Sequence, residues 1–220
     1  MSAPAARARE LFPEGLLLIA TQNPGKRREI VALLADLPIA VLSPSALDQP
    51  LPPVSEDGLT YEANARAKAD SACRATGLAV LADDSGLEVL GLGGAPGVHS
   101  ARFAGPDATD AENNAQLLAR LAGAPATARR ARFVCTAVLL LPSGLARVTT
   151  GVVEGRIAEA ERGGHGFGYD PLFFYPPFGC TFGEASDADK ESVSHRGAAL
   201  RAMAAEIGSL LAVRSDSGSC

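Results

Sequence analysis

The fold class follows from the stretch Gly15-Leu-Leu-Leu-Ile-Ala-Thr-Gln-Asn-Pro-Gly-Lys26. Residues 15–20 are apolar and β-prone, which predicts a short buried strand. A loop over residues 21–25 follows, and the pattern of residues 26–36 predicts a helix. Strand, loop and helix in this order are typical of an α/β fold, so we expect a mixed sheet flanked by helices.

The loop at residues 21–26 is also a candidate phosphate site. Backbone N–H groups at the start of the following helix would face an anion, and Lys26 adds a positive charge there. The GxxxxGK[ST] spacing of a Walker loop is absent, so an ordinary strand-to-helix turn is the alternative interpretation.

Length and composition indicate one globular domain. The chain has 220 residues, of which 47% are hydrophobic and 20% charged, which is ordinary for a folded soluble protein. We expect a single two-lobed domain over residues 1–213 and a loose tail over residues 214–220. The net charge of -5 disfavours nonspecific binding to nucleic acid or to an anionic membrane.

Cysteine usage and hydropathy indicate a cytoplasmic protein. Cys73, Cys135, Cys180 and Cys220 form no CxxC pair, so reduced thiols are expected rather than a zinc site or a disulfide framework. Residues 1–10 lack the apolar segment of a signal peptide, and no run approaches the roughly 18 apolar residues that span a bilayer.

Local signals predict the remaining elements. Thr60 can cap a helix that reaches Thr76 and stops at Gly77, with Asn64 and Lys68 on one face. Thr109 begins a helix with capping-box spacing, residues 132–141 and 145–153 form a hairpin, and Ser194 opens a final helix that ends near residue 213.

A pair of acids, Asp83 and Asp84, follows the predicted strand at residues 78–82. Adjacent side chains of a strand point to opposite sides, so one acid can enter a site while the other orients a loop or a neighbouring group. Carboxylate oxygens suit magnesium, but an acidic turn of this kind is as often a solvated cap.

Two later segments add candidates for ligand binding. Gly164-His-Gly-Phe-Gly-Tyr-Asp-Pro171 holds Phe167 and Tyr169 between glycines, so a flat ring could stack there, although packing is the commoner role of such aromatics. Lys190 and the run Ser194-His-Arg196 bring three donors together near the last helix, with a structural pair between His195 and Glu191 as the alternative. No nucleophile elbow supports a Ser-His-Asp triad.

Glycines at residues 91–97 have the wrong spacing for a dinucleotide fingerprint, and Pro96 falls where the helix would begin. We interpret them as a tight turn that lets Ser100 and Arg102 approach the site.

Together these segments resemble the inosine triphosphate pyrophosphatase family. The matching blocks are Thr21-x-Asn23-x-x-Lys26-x-x-Glu29, Thr60-Tyr61 with Asn64-Ala65-x-x-Lys68-Ala69, Ala82-Asp-Asp-Ser-Gly86, Gly93-Gly-Ala-Pro-Gly-Val98 with Ser100-Ala-Arg102, Gly166-Phe-Gly-Tyr-Asp-Pro171, and Ser194-His-Arg196. Members of this family hydrolyse ITP, dITP and XTP to the monophosphate and pyrophosphate.

The resemblance implies a long mixed sheet below a central cleft between two lobes, a homodimer, and Mg²⁺ as cofactor. It implies that Asp84 is the metal-linked general base. The implied substrate-binding residues are Thr21, Gln22, Asn23, Pro24, Gly25, Lys26, Ser85, Phe167, Gly168, Tyr169, Asp170, Lys190, His195 and Arg196.

One departure concerns the metal site. Many relatives have a glutamate directly before the Asn-Ala of the second block, where this chain has Ala63. Glu62 lies one position earlier, a helix rotation of roughly 100 degrees. The sequence therefore leaves Glu62, Glu29 and Asp83 open as partners of Asp84.

Selectivity for 6-oxo purines would come from donors on His195 and Arg196, because adenine carries an amino group at that position. Two other functions stay open: a pyrophosphatase for modified pyrimidine or methylated nucleotides, and a nucleotide-sensing module that binds without hydrolysis.

Overall fold

The computed structural model of the chain describes residues 11–212. Within this range, seven strands form one mixed sheet in the order β2-β1-β3-β4-β5-β6-β7. The strands are β1 Leu16–Ile19, β2 Ala40–Leu42, β3 Ala79–Val89, β4 Arg130–Leu140, β5 Ala146–Ile157, β6 Phe173–Tyr175 and β7 Cys180–Thr181. β1 runs parallel to β2 and β3, and the remaining neighbours are antiparallel.

Five α-helices accompany the sheet in the described range. They are α1 Pro24–Leu33, α2 Tyr61–Thr76, α3 Asp110–Arg120, α4 Asp187–Val193 and α5 His195–Ala212. Sheet and helices together confirm the predicted α/β class with a long mixed sheet. None of the helices between residues 11 and 212 has the length and apolar character needed to cross a membrane.

The strand-loop-helix unit that opens the fold is confirmed, with shifted helix bounds. The Asn23 side chain accepts hydrogen bonds from the backbone N–H of Gly25 at 2.8 Å and of Lys26 at 3.0 Å. This cap starts α1 at Pro24, whose missing N–H costs nothing at the first helical position. The helix therefore begins two residues before the predicted start and ends at Leu33.

The paired acids do not end a strand, which corrects the sequence prediction. β3 continues through Asp83 and Asp84 to Val89, in unbroken antiparallel register with β4 from Val80 opposite Leu140 to Val89 opposite Ala131. Asp and Gly are poor strand formers, but the long partner strand supplies the ladder and both acids find cationic partners. The two carboxylates consequently point from the middle of the sheet.

Side chains alternate between the two faces of β3, as predicted. Ala79 and Leu81 pack in a core with α1 and α5, whereas Val80 and Ala82 pack with α2. Continuing this period of two places Asp83 on the α5 side and Asp84 on the α2 side.

A further core forms at the other end of the long strands. It joins Leu87 of β3 to Phe133, Phe173, Phe182 and the α3 residue Leu117. These side chains are almost completely shielded from solvent.

Other local predictions are confirmed as well. Thr60 and Gly77 cap α2 at its two ends, Thr109 and Glu112 form a capping box, and β4 and β5 form the expected hairpin. The seven-residue helix α4, capped by Ser186, was not predicted. The expected tail at residues 214–220 lies outside the described residues.

Candidate active site

One cavity of about 550 Å³ collects most of the residues predicted to bind substrate. Three predicted residues do not line it, namely Pro24, Gly25 and Glu62. The predicted residues that do line it are Thr21, Gln22, Asn23, Lys26, Asp84, Ser85, Phe167, Gly168, Tyr169, Asp170, Lys190, His195 and Arg196. Residues from four separate segments of the chain therefore converge on a single space.

Asp83 is a buried counterion on the α5 side of the sheet. Its Oδ2 lies 2.9 Å from Lys26 Nζ and 3.3 Å from Arg196 Nε, and its side chain has no exposed surface. Burial alone would raise the pKa of Asp83, but the charges of Lys26 and Arg196 outweigh it and hold the pKa below its usual range. Asp83 is thus a fixed anion that orients two cations.

The cations form an alternating chain with acidic partners. Arg196 donates from Nη1 to Glu29 Oε2 at 2.6 Å and from Nη2 to Ser85 Oγ at 2.9 Å. Lys190 Nζ lies 2.6 Å from Asp170 Oδ2 and 3.5 Å from Glu29 Oε1. Glu29 therefore contacts cations on the side opposite Asp84, which separates it from the candidate metal position.

Asp84 occupies a different environment on the α2 side. Asn64 Nδ2 donates to its Oδ2 at 3.1 Å, and Lys68 Nζ donates to its Oδ1 at 3.2 Å. Burial raises the pKa of Asp84 above its ordinary value, although Lys68, Lys26 and the Asn64 hydrogen bond oppose the shift. A carboxyl with a raised pKa that faces a cavity is suited to accept a proton.

Glu56 joins this group, which sequence reasoning missed. Its Oε2 accepts a hydrogen bond from Lys68 Nζ at 3.0 Å, so Asp84 and Glu56 share one lysine. Arg102 holds the loop that carries Glu56, since Arg102 Nη2 donates to the Glu56 carbonyl at 2.6 Å. The predicted common face of Asn64 and Lys68 pointed to this cluster, but no periodic signal identified Glu56.

Glu62 lies away from the cavity, so we leave it out of the candidate metal site. Its Oε1 accepts from Arg66 Nε at 2.8 Å, one helical turn along α2, and about half of both side chains is exposed. Residues two positions apart on a helix face different directions, and Asn64 is the one that points to Asp84. Between residues 11 and 212, no three His, Cys, Asp or Glu side chains form a preassembled metal cluster.

The glycine-flanked loop presents Phe167 to the cations. The Phe167 ring lies 4.7 Å from Lys190 Nζ and 5.4 Å from the Arg196 guanidinium carbon. It also packs on Gly25, where an added Cβ would lie 2.7 Å from the ring. Of the two predicted stacking candidates, Tyr169 is buried and its hydroxyl donates to the Ser100 carbonyl at 2.8 Å, which leaves Phe167 as the ring that can meet a ligand.

His195 is a neutral, buried group at the start of α5. Its ring stacks on Phe133 with 4.7 Å between centroids, and its Nδ1 has no hydrogen-bond partner in the described part of the chain. Burial lowers the pKa of His195 well below its ordinary value, and the charges of Arg196 and Lys190 lower it further. Among residues 11–212, no hydrogen bond joins the His195 side chain to Glu191. The alternative structural pair of His195 and Glu191 is therefore not observed.

Sequence and structure comparisons agree on a single family. The sequence profile of the Ham1 family matches residues 17–206. The chain belongs to the Ham1 family. Relatives within it include a dITP/XTP pyrophosphatase of Syntrophobacter fumaroxidans, 52% identical over 89% of this chain and 83% of the relative. A dITP/XTP pyrophosphatase of Exiguobacterium sp. is 51% identical over 87% of this chain and 96% of the relative.

A solved Ham1 structure has the same fold. The HAM1 protein from Coxiella burnetii superimposes with a TM-score of 0.81 at 39% identity, covering 88% of this chain and 98% of that one. The Ham1 protein of Staphylococcus aureus gives a TM-score of 0.77 at 38% identity.

Proposed function

We propose that this Ham1-family chain hydrolyses non-standard purine nucleoside triphosphates, namely ITP, dITP and XTP, to the monophosphate and pyrophosphate. The observation that carries the proposal is the convergence of Lys26, Lys190 and Arg196 with the proton-accepting Asp84 around one cavity of about 550 Å³. The names of the relatives support the same activity.

The triphosphate would lie between the start of α1 and the Asp84 group. The dipole of a helix attracts anions to its start, and Lys26 lies there with its charge held in place by Asp83. Lys68 supplies a further cation next to Asp84. Cleavage of a phosphoanhydride mainly requires neutralised charge and an in-line water, and these groups meet the first requirement.

Magnesium fits the donors on the α2 side of the cavity. Asp84 and Glu56 each offer a hard carboxylate oxygen within 3.2 Å of the same Lys68 Nζ. Proteins commonly hold magnesium with one or two carboxylates together with substrate phosphates. When bound by Asp84 and Glu56, the ion would neutralise phosphate charge. Lys68 Nζ contacts both carboxylates and holds them close to each other.

Of the two adjacent acids, Asp84 is the better general base. Asp83 is ion-paired through Oδ2 with Lys26 and Arg196, and its lowered pKa makes it a poor proton acceptor. Asp84 faces the cavity with a raised pKa, so it would orient the attacking water and take its proton.

The purine ring of the nucleotide would bind at the end of the cavity that lies away from Asp84. Phe167 offers a ring face, and the neutral imidazole of His195, which lines the cavity, can donate to a 6-oxo oxygen when its proton is on Nε2, because Nδ1 is enclosed by the protein. Adenine presents an amino group there and would leave that donor unpaired, which lowers its turnover.

A pyrophosphate-release assay on ITP, dITP, XTP, GTP and ATP tests this function, with Mg²⁺ and with EDTA. We expect release from ITP, dITP and XTP only with Mg²⁺, and slow release from ATP. Equal rates for ITP and ATP would contradict the proposed recognition of the 6-oxo purine ring. Absence of release from every purine triphosphate would favour a binding module or a pyrimidine-directed enzyme.

Matched carboxylate variants sharpen the assay. Asp84→Asn should lower kcat by about 100-fold or more with the fold retained, and Glu56→Gln should raise the Mg²⁺ concentration needed for half-maximal rate. Glu62→Gln is the control, because Glu62 lies on the solvent side of α2. A loss of activity in Glu62→Gln equal to that in Asp84→Asn would contradict the proposed site.

We further propose a homodimer in the cytoplasm, as the family resemblance implies. Light scattering of the purified chain at several concentrations tests the first point, and fractionation of cells that express it tests the second. A monomer across the whole concentration range would contradict the dimer.

A further inference from the structure

Two side chains of α3 hold the backbone of Gly168 by hydrogen bonds. The Gly168 N–H donates to Asp110 Oδ2 at 2.7 Å, and the Gly168 carbonyl accepts from Asn114 Nδ2 at 3.2 Å. Asp110 and Asn114 are four residues apart, so they lie on the same face of the helix. Gly168 directly follows Phe167, the ring that faces the cavity cations.

The start of α3 is itself held in place. Thr109 and Glu112 close a capping box in which the Thr109 N–H donates to Glu112 Oε2 at 2.8 Å. Asn113 accepts from the Ala104 N–H at 2.9 Å and donates to the Ala101 carbonyl at 3.1 Å. Since Leu117 is fully buried, α3 is a fixed platform beneath the loop.

The turn that carries Phe167 needs this outside support. Its internal bonds join the Phe167 N–H to Asp170 Oδ2 at 2.8 Å and the Asp170 N–H to the Phe167 carbonyl at 3.3 Å, and neither of them involves the N–H or the carbonyl of Gly168. Gly168 adopts a left-handed conformation with φ +63°, where a glycine backbone has many alternatives. The two contacts from α3 restrict those alternatives and so, together with the packing of the ring on Gly25, fix the direction of the Phe167 ring.

We propose that Asp110, assisted by Asn114, is a positioning residue that fixes the Gly168 peptide and thereby aims Phe167 at the purine ring. The inference rests on the proposed function, because it assigns Phe167 to the base. Asp110 acts through the loop and does not touch the reacting atoms. Its contribution therefore belongs to substrate binding, which appears in KM, rather than to the chemical step.

Steady-state kinetics with ITP test the proposal on three single variants. Asp110→Ala should raise KM about fivefold with kcat within about twofold of wild type, the effect expected for one lost hydrogen bond to a charged group at a partly exposed site. Asp110→Asn should recover most of the affinity, since its amide oxygen still accepts from Gly168. Asp107→Ala is the control, because exposed Asp107 makes no side-chain hydrogen bond or ion pair among residues 11–212.

A double-mutant cycle with Phe167→Leu distinguishes a positioning role of Asp110 from a general disturbance of the structure. If Asp110 acts through Phe167, Asp110→Ala should change kcat/KM by less than about twofold in the Phe167→Leu background. Multiplicative effects of the two substitutions would overturn the proposal. So would a wild-type KM in Asp110→Ala, or a fall in its kcat at unchanged KM.

The same kinetics distinguish a failure of the proposed function from a failure of the positioning role of Asp110. Failure of the wild-type enzyme to hydrolyse ITP would overturn the proposed function and this role with it. Wild-type hydrolysis combined with identical kinetics of Asp110→Ala and Asp107→Ala would overturn the positioning role alone.

Discussion

Gly151 controls how closely the start of α5 approaches the sheet. A Cβ added at this position of β5 would lie 2.6 Å from the Ala199 backbone nitrogen and closer still to the His195 carbonyl oxygen. Both atoms belong to the backbone, so no side-chain rotation can relieve the overlap. We therefore expect Gly151→Ala to push α5 away from β5.

The size of the displacement follows from the same distances. Ordinary van der Waals contact begins near 3.4 Å, so the Ala199 nitrogen must retreat by about 0.8 Å and the His195 carbonyl oxygen, which lies closer, by more than that. His195 and Arg196 begin this helix and move with it. A misplacement of about 1 Å in a catalytic site can cost about 100-fold in rate, whereas overpacking of this kind costs about 1–3 kcal/mol of stability.

Parallel measurements of unfolding and ITP hydrolysis check this prediction. Gly151→Ala should remain folded at room temperature with kcat/KM lowered about 100-fold. Gly208→Ala, in the same helix, is the control because a Cβ there meets nothing within 4 Å, and it should be as active as wild type. Wild-type activity in a folded Gly151→Ala protein would refute the idea that this close approach sets the position of Arg196.

Two further predictions concern the paired acids. Asp83→Asn should lower the free energy of unfolding by about 3 kcal/mol at neutral pH, measured by urea denaturation, because it removes the anion that Lys26 contacts and one of the two anions that the buried Arg196 contacts. Since the lowered pKa of Asp83 favours the folded state above the ordinary carboxyl pKa of about 4, the difference should shrink as the pH falls below that value, and a constant difference would contradict it. Lys68→Met should move the acid limb of the kcat/KM profile to higher pH, because the Lys68 charge lowers the pKa of Asp84 and Asp84 must be ionised to accept a proton. An acid limb that stays in place or moves to lower pH would show that Asp84 is not the titrating base.

Local chemistry was enough to predict most elements of the fold. Asn23 and Pro24 start α1, Thr60 and Gly77 bound α2, and each signal involves residues that are neighbours in sequence. The sequence predicts a strand that ends at Ala82, because the Asp, Ser and Gly residues that follow are typical of turns. Its continuation depends on the ladder with β4, a partner some fifty residues away that no local pattern reveals.

The sequence predicts those residues of the candidate site that lie in short sequence motifs. Lys26, Asp84, Phe167 and Arg196 converge on one cavity, as the order of the motifs suggested. Glu56 was missed because it lies in a Pro-rich loop without periodicity, and its position depends on a contact with the distant Arg102.

The distinct environments of Asp83 and Asp84 were predicted only in outline. Alternation along the strand assigned them to opposite faces. Which of them meets Lys26 and which meets Lys68 is decided by tertiary packing, and so are the opposite directions of their pKa shifts.

Hydrolysis of ITP in ¹⁸O-labelled water is the most direct test of the central claim that this cavity directs water to the α-phosphorus. Mass spectrometry of the two products locates the incorporated oxygen. Label in the monophosphate is the expected result, because Asp84 would then have delivered water to the phosphorus that stays with the nucleoside. Label in pyrophosphate or in orthophosphate would contradict the proposed arrangement of Lys26, Asp84 and Arg196 around a bound triphosphate.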